Sequence, residues 1–233
     1  MVRYAIILIG PPGSGKGTQA EMLAERLGFF HWSSSNTVKH WMTKHPDHPL
    51  VKKSMENYAK GGLFEPELMA HVVEQESEQI LKKHKGIIYD GSPRTLPELH
   101  EAWPFWKKTF GKNNILVINL KLELENAQER LTKRLICEFD HPYIRGEGGL
   151  VVGSICPKDG TKLKLRDLDN PEVIKVRFEE FKKQTIPTLE FLRHQTSVLD
   201  VDASKAIAKV FEDVINKLTP HLKALKNAKN KKT

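Results

Sequence analysis

The sequence predicts an α/β fold of three layers, with a five-stranded parallel sheet covered by helices on both faces. Three observations lead there. Short apolar runs alternate with segments of helical period. The runs are continuous rather than alternating, as in strands buried on both faces. The first of them leads through a glycine-rich loop into a helical pattern. At 233 residues, with 39% hydrophobic and 28% charged side chains, the chain suits one core with insertions and is no wholly disordered polypeptide.

Taken in order, residues 4–9 (Tyr-Ala-Ile-Ile-Leu-Ile) form the first strand, and 10–18 the glycine loop. Ala20, Leu23, Ala24 and Leu27 give 19–27 a helical stripe, closed by Gly28. A short strand covers 29–32. The polar, helix-prone stretch 33–63 is interrupted by Pro46, Pro49 and the Gly61-Gly62 pair. A helix follows over 67–81, then a third strand over 86–90, a fourth over 115–120 and a fifth over 197–201. Between the last two lie a helix over 124–135, an irregular segment over 137–165 and a helix over 171–192. Trp103, Phe105, Trp106 and Phe110 are expected to pack a loop or helix onto the core, and His40, His45 and His48 to be surface side chains rather than metal ligands. Ligands should gather at the carboxyl ends of the strands.

The net charge of +8 is unevenly placed: Lys223, Lys226, Lys229, Lys231 and Lys232 supply five of those charges within 219–233, a segment with no acid. A lysine tail of this kind is a solvated end, so no nucleic-acid partner is expected. No apolar run approaches the roughly 20 residues of a membrane span, and none resembles a signal peptide, so no membrane is expected and the location expected is cytoplasmic. Two cysteines, Cys137 and Cys156, exclude a disulfide framework.

The loop Gly10-Pro-Pro-Gly-Ser-Gly-Lys-Gly-Thr18 has the composition and context of a phosphate cradle. Its glycines let the backbone turn several N–H groups inward, and the helix that follows adds a positive end. Lys16 adds a mobile full charge for the β- and γ-phosphates. Gly13, Ser14, Gly15, Lys16, Gly17 and Thr18 are therefore candidate ATP-binding residues. Gly17 separates the lysine from the hydroxyl of Thr18, where the common form puts Ser or Thr directly after the lysine.

The string GPPGSGKGTQ resembles the nucleoside monophosphate kinases, adenylate kinases above all. The segment 86–95 (Gly-Ile-Ile-Tyr-Asp-Gly-Ser-Pro-Arg-Thr) is similar to that family's second signature, and the likeness runs over nearly the whole chain. The resemblance implies a P-loop core over 1–32, 64–133 and 170–218, an acceptor-binding insertion over 33–63, a lid over 134–169 and a basic tail over 219–233. It implies that Asp90 orients Mg²⁺ held with ATP, and that Arg94 forks onto the acceptor phosphate. Arg130, Arg134, Arg166 and Arg177 match positions that clamp the transferring phosphoryl group, with Arg130 over the adenine of ATP and Lys205 also on the ATP side. Arg130 and Arg134, four apart, are expected on one helix face, and Arg166 and Arg177 about three turns apart on a continuous helix. Ser34, Lys39, Gly91, Arg94, Glu98, Arg166 and Arg177 fall on the acceptor-nucleotide side.

In the lid, Cys137-x-x-Asp140 and Cys156-x-x-Asp159 have the spacing of paired zinc knuckles, with His141 a rival to Asp140. The resemblance implies either a structural Zn²⁺ there or a metal-free, hydrogen-bonded ribbon. Several positions depart from the family pattern. Ser35, Asn36 and Lys39 replace a glycine, an aspartate and an arginine; Ser92 replaces a phenylalanine, Glu98 a base-reading glutamine and Leu168 an aspartate. The reaction implied is ATP plus AMP giving two ADP, by a monomer. Glu98, an acceptor of hydrogen bonds only, suits guanine better than adenine. GMP is therefore the first alternative acceptor, and a nucleotide-binding regulatory protein of low activity is a further reading.

Overall fold

A computed structural model describes residues 2–59 and 64–230, with side chains except at 56–59 and 223–230. The core is a parallel sheet of β1 (Tyr4–Ile9), β2 (Phe30–Ser33), β3 (Gly86–Asp90), β4 (Ile115–Lys121) and β8 (Ser197–Asp202) in the order β2-β3-β1-β4-β8. The family-like three-layer reading of the sequence is thus realised, with five strands. Alternate residues of the central strand feed opposite cores. Ala5, Ile7 and Ile9 join Trp32, Tyr89, Trp106 and Leu99 on one face, while Ile6 and Leu8 join Leu23, Ile118 and Val214 on the other. That two-sided burial is why the run is apolar at every position, and each such aliphatic contributes about 1.5–3 kcal/mol.

Helices α1 (Lys16–Leu27), α2 (Ser34–Lys44), α3 (Pro49–Ala59), α4 (Pro66–Ile80), α5 (Leu96–Phe110) and α6 (Leu124–Thr132) connect the first strands. Trp103, Phe105, Trp106 and Phe110 all lie buried on α5, which the sequence left as loop or helix. His45 and His48 are packed around Trp41 together with His71 rather than standing free, whereas His40 is exposed. The expected Gly61-Gly62 break lies outside the described residues, as does the end of the basic tail.

After α6 the chain leaves the core and builds a small antiparallel sheet, β6-β5-β7, from β5 (Arg134–Ile136), β6 (Pro142–Ile144) and β7 (Lys164–Leu165). This shortens the helix expected over 124–135 and gives strands to the segment expected to be irregular. Among the described residues its core is Leu135, Cys137, Cys156 and Leu163, flanked by Tyr143 and Leu150. The chain returns through a 3₁₀ turn, Asp167–Asp169, into α7 (Pro171–Glu180), a π-helical turn (Phe181–Thr185) and α8 (Ile186–Arg193). Pro187, which has no N–H to donate to the preceding turn, stands just after the widened stretch. Finally α9 (Ile207–Asn230) carries the helix into the segment expected as a solvated end. Among the described residues no helix is long and apolar enough to cross a membrane.

Candidate active site

The carboxyl ends of β1 and β3 lie side by side, with Leu8 paired to Asp90, and the phosphate loop follows directly from β1. Gly13 and Gly15 have φ of 80° and 81°, which L side chains rarely adopt. A Cβ on Gly13 would also come within 3.2 Å of the Ala127 backbone on α6. A Cβ on Gly17 would stand 3.4 Å from an Asp90 carboxylate oxygen, so a larger residue after the lysine would crowd that acid. Ser14 Oγ is buried with no hydrogen-bond partner, an oxygen waiting for one inside the loop. Thr18, half-buried, sits in the first turn of α1.

Lys16 folds over its own loop, and its Nζ donates to the carbonyls of Gly10 at 2.7 Å and Pro11 at 3.0 Å. Two neutral carbonyls do not compensate its charge. Burial pushes the ammonium down to about 8, against the attraction of Asp90, and Arg94, Arg177 and Arg134 push the same way as burial. Arg177 is likewise brought down to about 10 by burial and by Arg166, Arg134 and Arg94, with Asp169 opposing. Arg94, Arg134 and Arg177 thus lie within electrostatic reach of Lys16, and Arg166 within reach of Arg177.

The route by which they converge differs from the sequence expectation. Arg134 does not share a helix face with Arg130, because α6 ends at Thr132 and Arg134 begins β5. Its guanidinium binds Asp169 through two bonds of 2.7 Å, whereas Arg130 donates to the carbonyls of Ser204 and Lys205 at 3.0 Å each. Nor does one helix join Arg166 to Arg177: Arg166 precedes the 3₁₀ turn and α7 starts only at Pro171. Lys205 lies beside the Arg130 contact and pairs with Asp213 at 2.7 Å.

Two residues that sequence reasoning passed over take part. Asp169, 6% exposed, holds Arg134 and also accepts from Arg177 at 3.3 Å. Leu168, which stands where the family pattern has an aspartate, is 45% exposed beside it. The acid eight residues before Arg177 was the available signal. His31, whose Nε2 lies 3.4 Å from Asp90 Oδ2, is the other; the parallel register that pairs Ser33 with Asp90 brings it there.

On the acceptor side Arg94 Nε donates to Gly91 O at 2.8 Å, and a terminal nitrogen to Ser34 Oγ at 3.3 Å. A Cβ on Gly91 (φ 80°) would strike both Ser34 Oγ and Arg94. Lys39 is exposed on α2. Glu98 is buried, with its carboxylate on Ser92 Oγ (2.5 Å) and the Arg94 N–H (2.8 Å). Burial raises its pKa, and those hydrogen bonds oppose the rise.

In the small sheet, Cys137, His141, Cys156 and Asp159 bring their ligand atoms within 4.8 Å of one another. His141 Nδ1 is 2.7 Å from Asp159 Oδ2, 3.4 Å from Cys137 Sγ and 3.8 Å from Cys156 Sγ. Of the two rivals it is His141 that stands with the thiols and Asp159, while Asp140 occupies the knuckle turn at a positive φ of 61°. The other oxygen of Asp159 is held by the N–H and hydroxyl of Thr161, the outer support a ligating carboxylate needs. Next to it Lys158 pairs with Glu21, so the knuckle rests on α1.

The chain matches the family model for adenylate kinase over residues 8–197. It is 33% identical over 221 residues to the adenylate kinase of Staphylococcus aureus, covering 91% of this chain and 97% of that one. It is 32% identical over 227 residues to that of Syntrophotalea carbinolica (91% and 97%), and 31% over 210 residues to that of Caldanaerobacter subterraneus (90% and 93%). With a family match over most of its length and relatives alike over nine-tenths of it, the chain belongs to the adenylate kinase family.

Proposed function

We propose that the protein transfers the γ-phosphoryl group of ATP to AMP, reversibly, giving two ADP. The observation that carries this reading is the phosphate loop beside Asp90, with Lys16 and Arg177 both pushed down by burial and by neighbouring guanidinium groups. A polyphosphate relieves that repulsion, and phosphoryl transfer needs little from a protein beyond positioning and charge neutralisation. In-line attack by an AMP phosphate oxygen forms the new P–O bond as the bond to the β-phosphate oxygen of ATP breaks. No covalent intermediate and no general base are required.

In this reading Gly13, Ser14, Gly15, Lys16, Gly17 and Thr18 hold the ATP phosphates, with Arg130 and Lys205 toward the nucleoside. Ser34, Lys39, Gly91 and Arg94 receive the acceptor, and Arg134, Arg166 and Arg177 neutralise the group in transit. Asp90 and Thr18 are the residues that would hold Mg²⁺, which when bound neutralises phosphate charge. The sheet β6-β5-β7 serves as a lid over 134–169, the stretch 33–63 as the acceptor insertion and the remaining chain to 218 as the core, with a basic tail beyond. The lid carries Zn²⁺ on Cys137, His141, Cys156 and Asp159. Two soft sulfurs, an imidazole and a carboxylate suit tetrahedral zinc, and four buried residues are too small a core to hold a sheet alone. The protein works as a cytoplasmic monomer.

GMP gains no support from Glu98, whose carboxylate is engaged with Ser92 and Arg94. A coupled ADP-release assay with AMP, GMP, CMP and UMP in turn tests the reading: AMP is expected to be preferred by about 100-fold or more, the scale that mismatched hydrogen-bond patterns produce. GMP turned over as fast as AMP, or no turnover with any of the four, would overturn it.

A further inference from the structure

Glu98 and Ser92, two departures from the family pattern, touch each other. Glu98 is 4% exposed at the third residue of α5. One carboxylate oxygen accepts the Ser92 hydroxyl at 2.5 Å and the other the Arg94 N–H at 2.8 Å. The Thr95 N–H also favours the charged form, while the Glu98 N–H donates to Thr95 Oγ1 at 3.2 Å, the reciprocal pattern of a capping box. Both carboxylate oxygens are thus committed to the turn, one to Ser92 and one to Arg94. The carbonyl of Arg94 is held in turn by Thr185 Oγ1 at 2.9 Å. The backbone of Arg94 is thereby pinned on its amide side by Glu98 and on its carbonyl side by the helix ahead of α8. From that anchor the guanidinium lies over Gly91 and toward Ser34.

We propose that Glu98 is a positioning residue for Arg94: with Ser92 it fixes the turn from which the guanidinium reaches the acceptor phosphate, and it does not read the acceptor base. The inference rests on the cleft beside Arg94 being the acceptor site. It explains both replacements at once, since a serine hydroxyl at 92 gives the carboxylate a donor that a phenylalanine lacks. Because Glu98 acts through the phosphate clamp, its loss weakens every acceptor alike, whatever its base.

The test compares AMP with ribose 5-phosphate, a phosphate on a sugar without a base, in equilibrium titrations of the full chain and of Glu98→Ala, Glu98→Gln, Ser92→Ala and Arg94→Ala. Glu98→Ala is expected to weaken both ligands by the same factor, about tenfold, the equivalent of one hydrogen bond to a charged group. Ser92→Ala weakens both by a smaller common factor. Glu98→Gln recovers most of the loss, because its amide oxygen can accept from Arg94 N–H while its NH₂ donates to Ser92 Oγ. In turnover, the KM for AMP rises while that for ATP stays. A loss confined to AMP with ribose 5-phosphate unchanged would mean that Glu98 reads the base, and no loss for either would remove it from the site; each overturns the proposal. Thermal unfolding checks that the variants fold, and Ser92→Ala answers the same question if Glu98→Ala does not. Arg94→Ala that binds ribose 5-phosphate normally would instead overturn the acceptor-site assignment.

Discussion

Replacing Asp169 with asparagine tests whether Arg134 and Arg177 are organised by the acid buried between them. Asp169 gives Arg134 two bonds of 2.7 Å and Arg177 one of 3.3 Å, from a side chain that is 4% exposed. Asparagine keeps the shape but has a single acceptor oxygen, and its NH₂ faces guanidinium donors. Hydrogen bonds to charged groups are worth about 1.5–3 kcal/mol each. Arg134 and Arg177 are 23% and 31% exposed, so solvent screens part of the loss and the low end applies. A net loss of about 2 kcal/mol in transition-state stabilisation corresponds to roughly 30-fold in rate. A coupled ADP assay is expected to show this fall in kcat/KM, carried mainly by kcat, with unfolding still cooperative and shifted only a few degrees. Turnover within twofold of the parent would refute the argument, because Arg134 and Arg177 would then find their places without the carboxylate.

Two further outcomes follow from the same electrostatics and from the lid. Lys16, at about 8 in the free protein, is charged below that pH and neutral above it, while a bound triphosphate favours the charged form. ATP affinity should therefore fall as pH rises through about 8, with proton uptake on binding seen by calorimetry in buffers of different ionisation enthalpy. Lys16→Met should abolish that pH dependence and lower turnover by about 100-fold or more with the fold intact by circular dichroism; an unchanged profile or normal activity would remove the lysine from the site. Elemental analysis should find one zinc per chain, lost in His141→Ala together with several degrees of thermal stability and retained in Asp140→Asn, asparagine being tolerated at positive φ. Zinc lost on changing Asp140 instead would return that residue to the ligand set.

Local signals were legible where the physical cause is itself local. The strand 86–90 appears with the bounds read for it, because its first four residues are buried and the partly exposed Asp90 marks its end. The glycines of the phosphate loop were legible for the same kind of reason, positive φ being a property of single residues. The end of α6 was not. Residues 124–135 carry a helical pattern throughout, and only pairing with β6 and β7 draws Arg134 into a strand. The bonds of Glu98 to Ser92 and Arg94 were not legible from the departures alone, although Thr95-Leu-Pro-Glu98 spells a capping box, a local signal of a carboxylate turning back onto the chain.

By itself the sequence determined the layered fold, the phosphate loop and which cations were available, since periodicity, glycine and charge are written residue by residue. Only the tertiary structure decided which groups meet: Asp169 for Arg134, His141 rather than Asp140 among the thiols, and Ser92 with Arg94 for Glu98. Each of those meetings lies at a turn or helix start, where the direction of a side chain is set by how the backbone packs against distant elements and not by spacing along the chain.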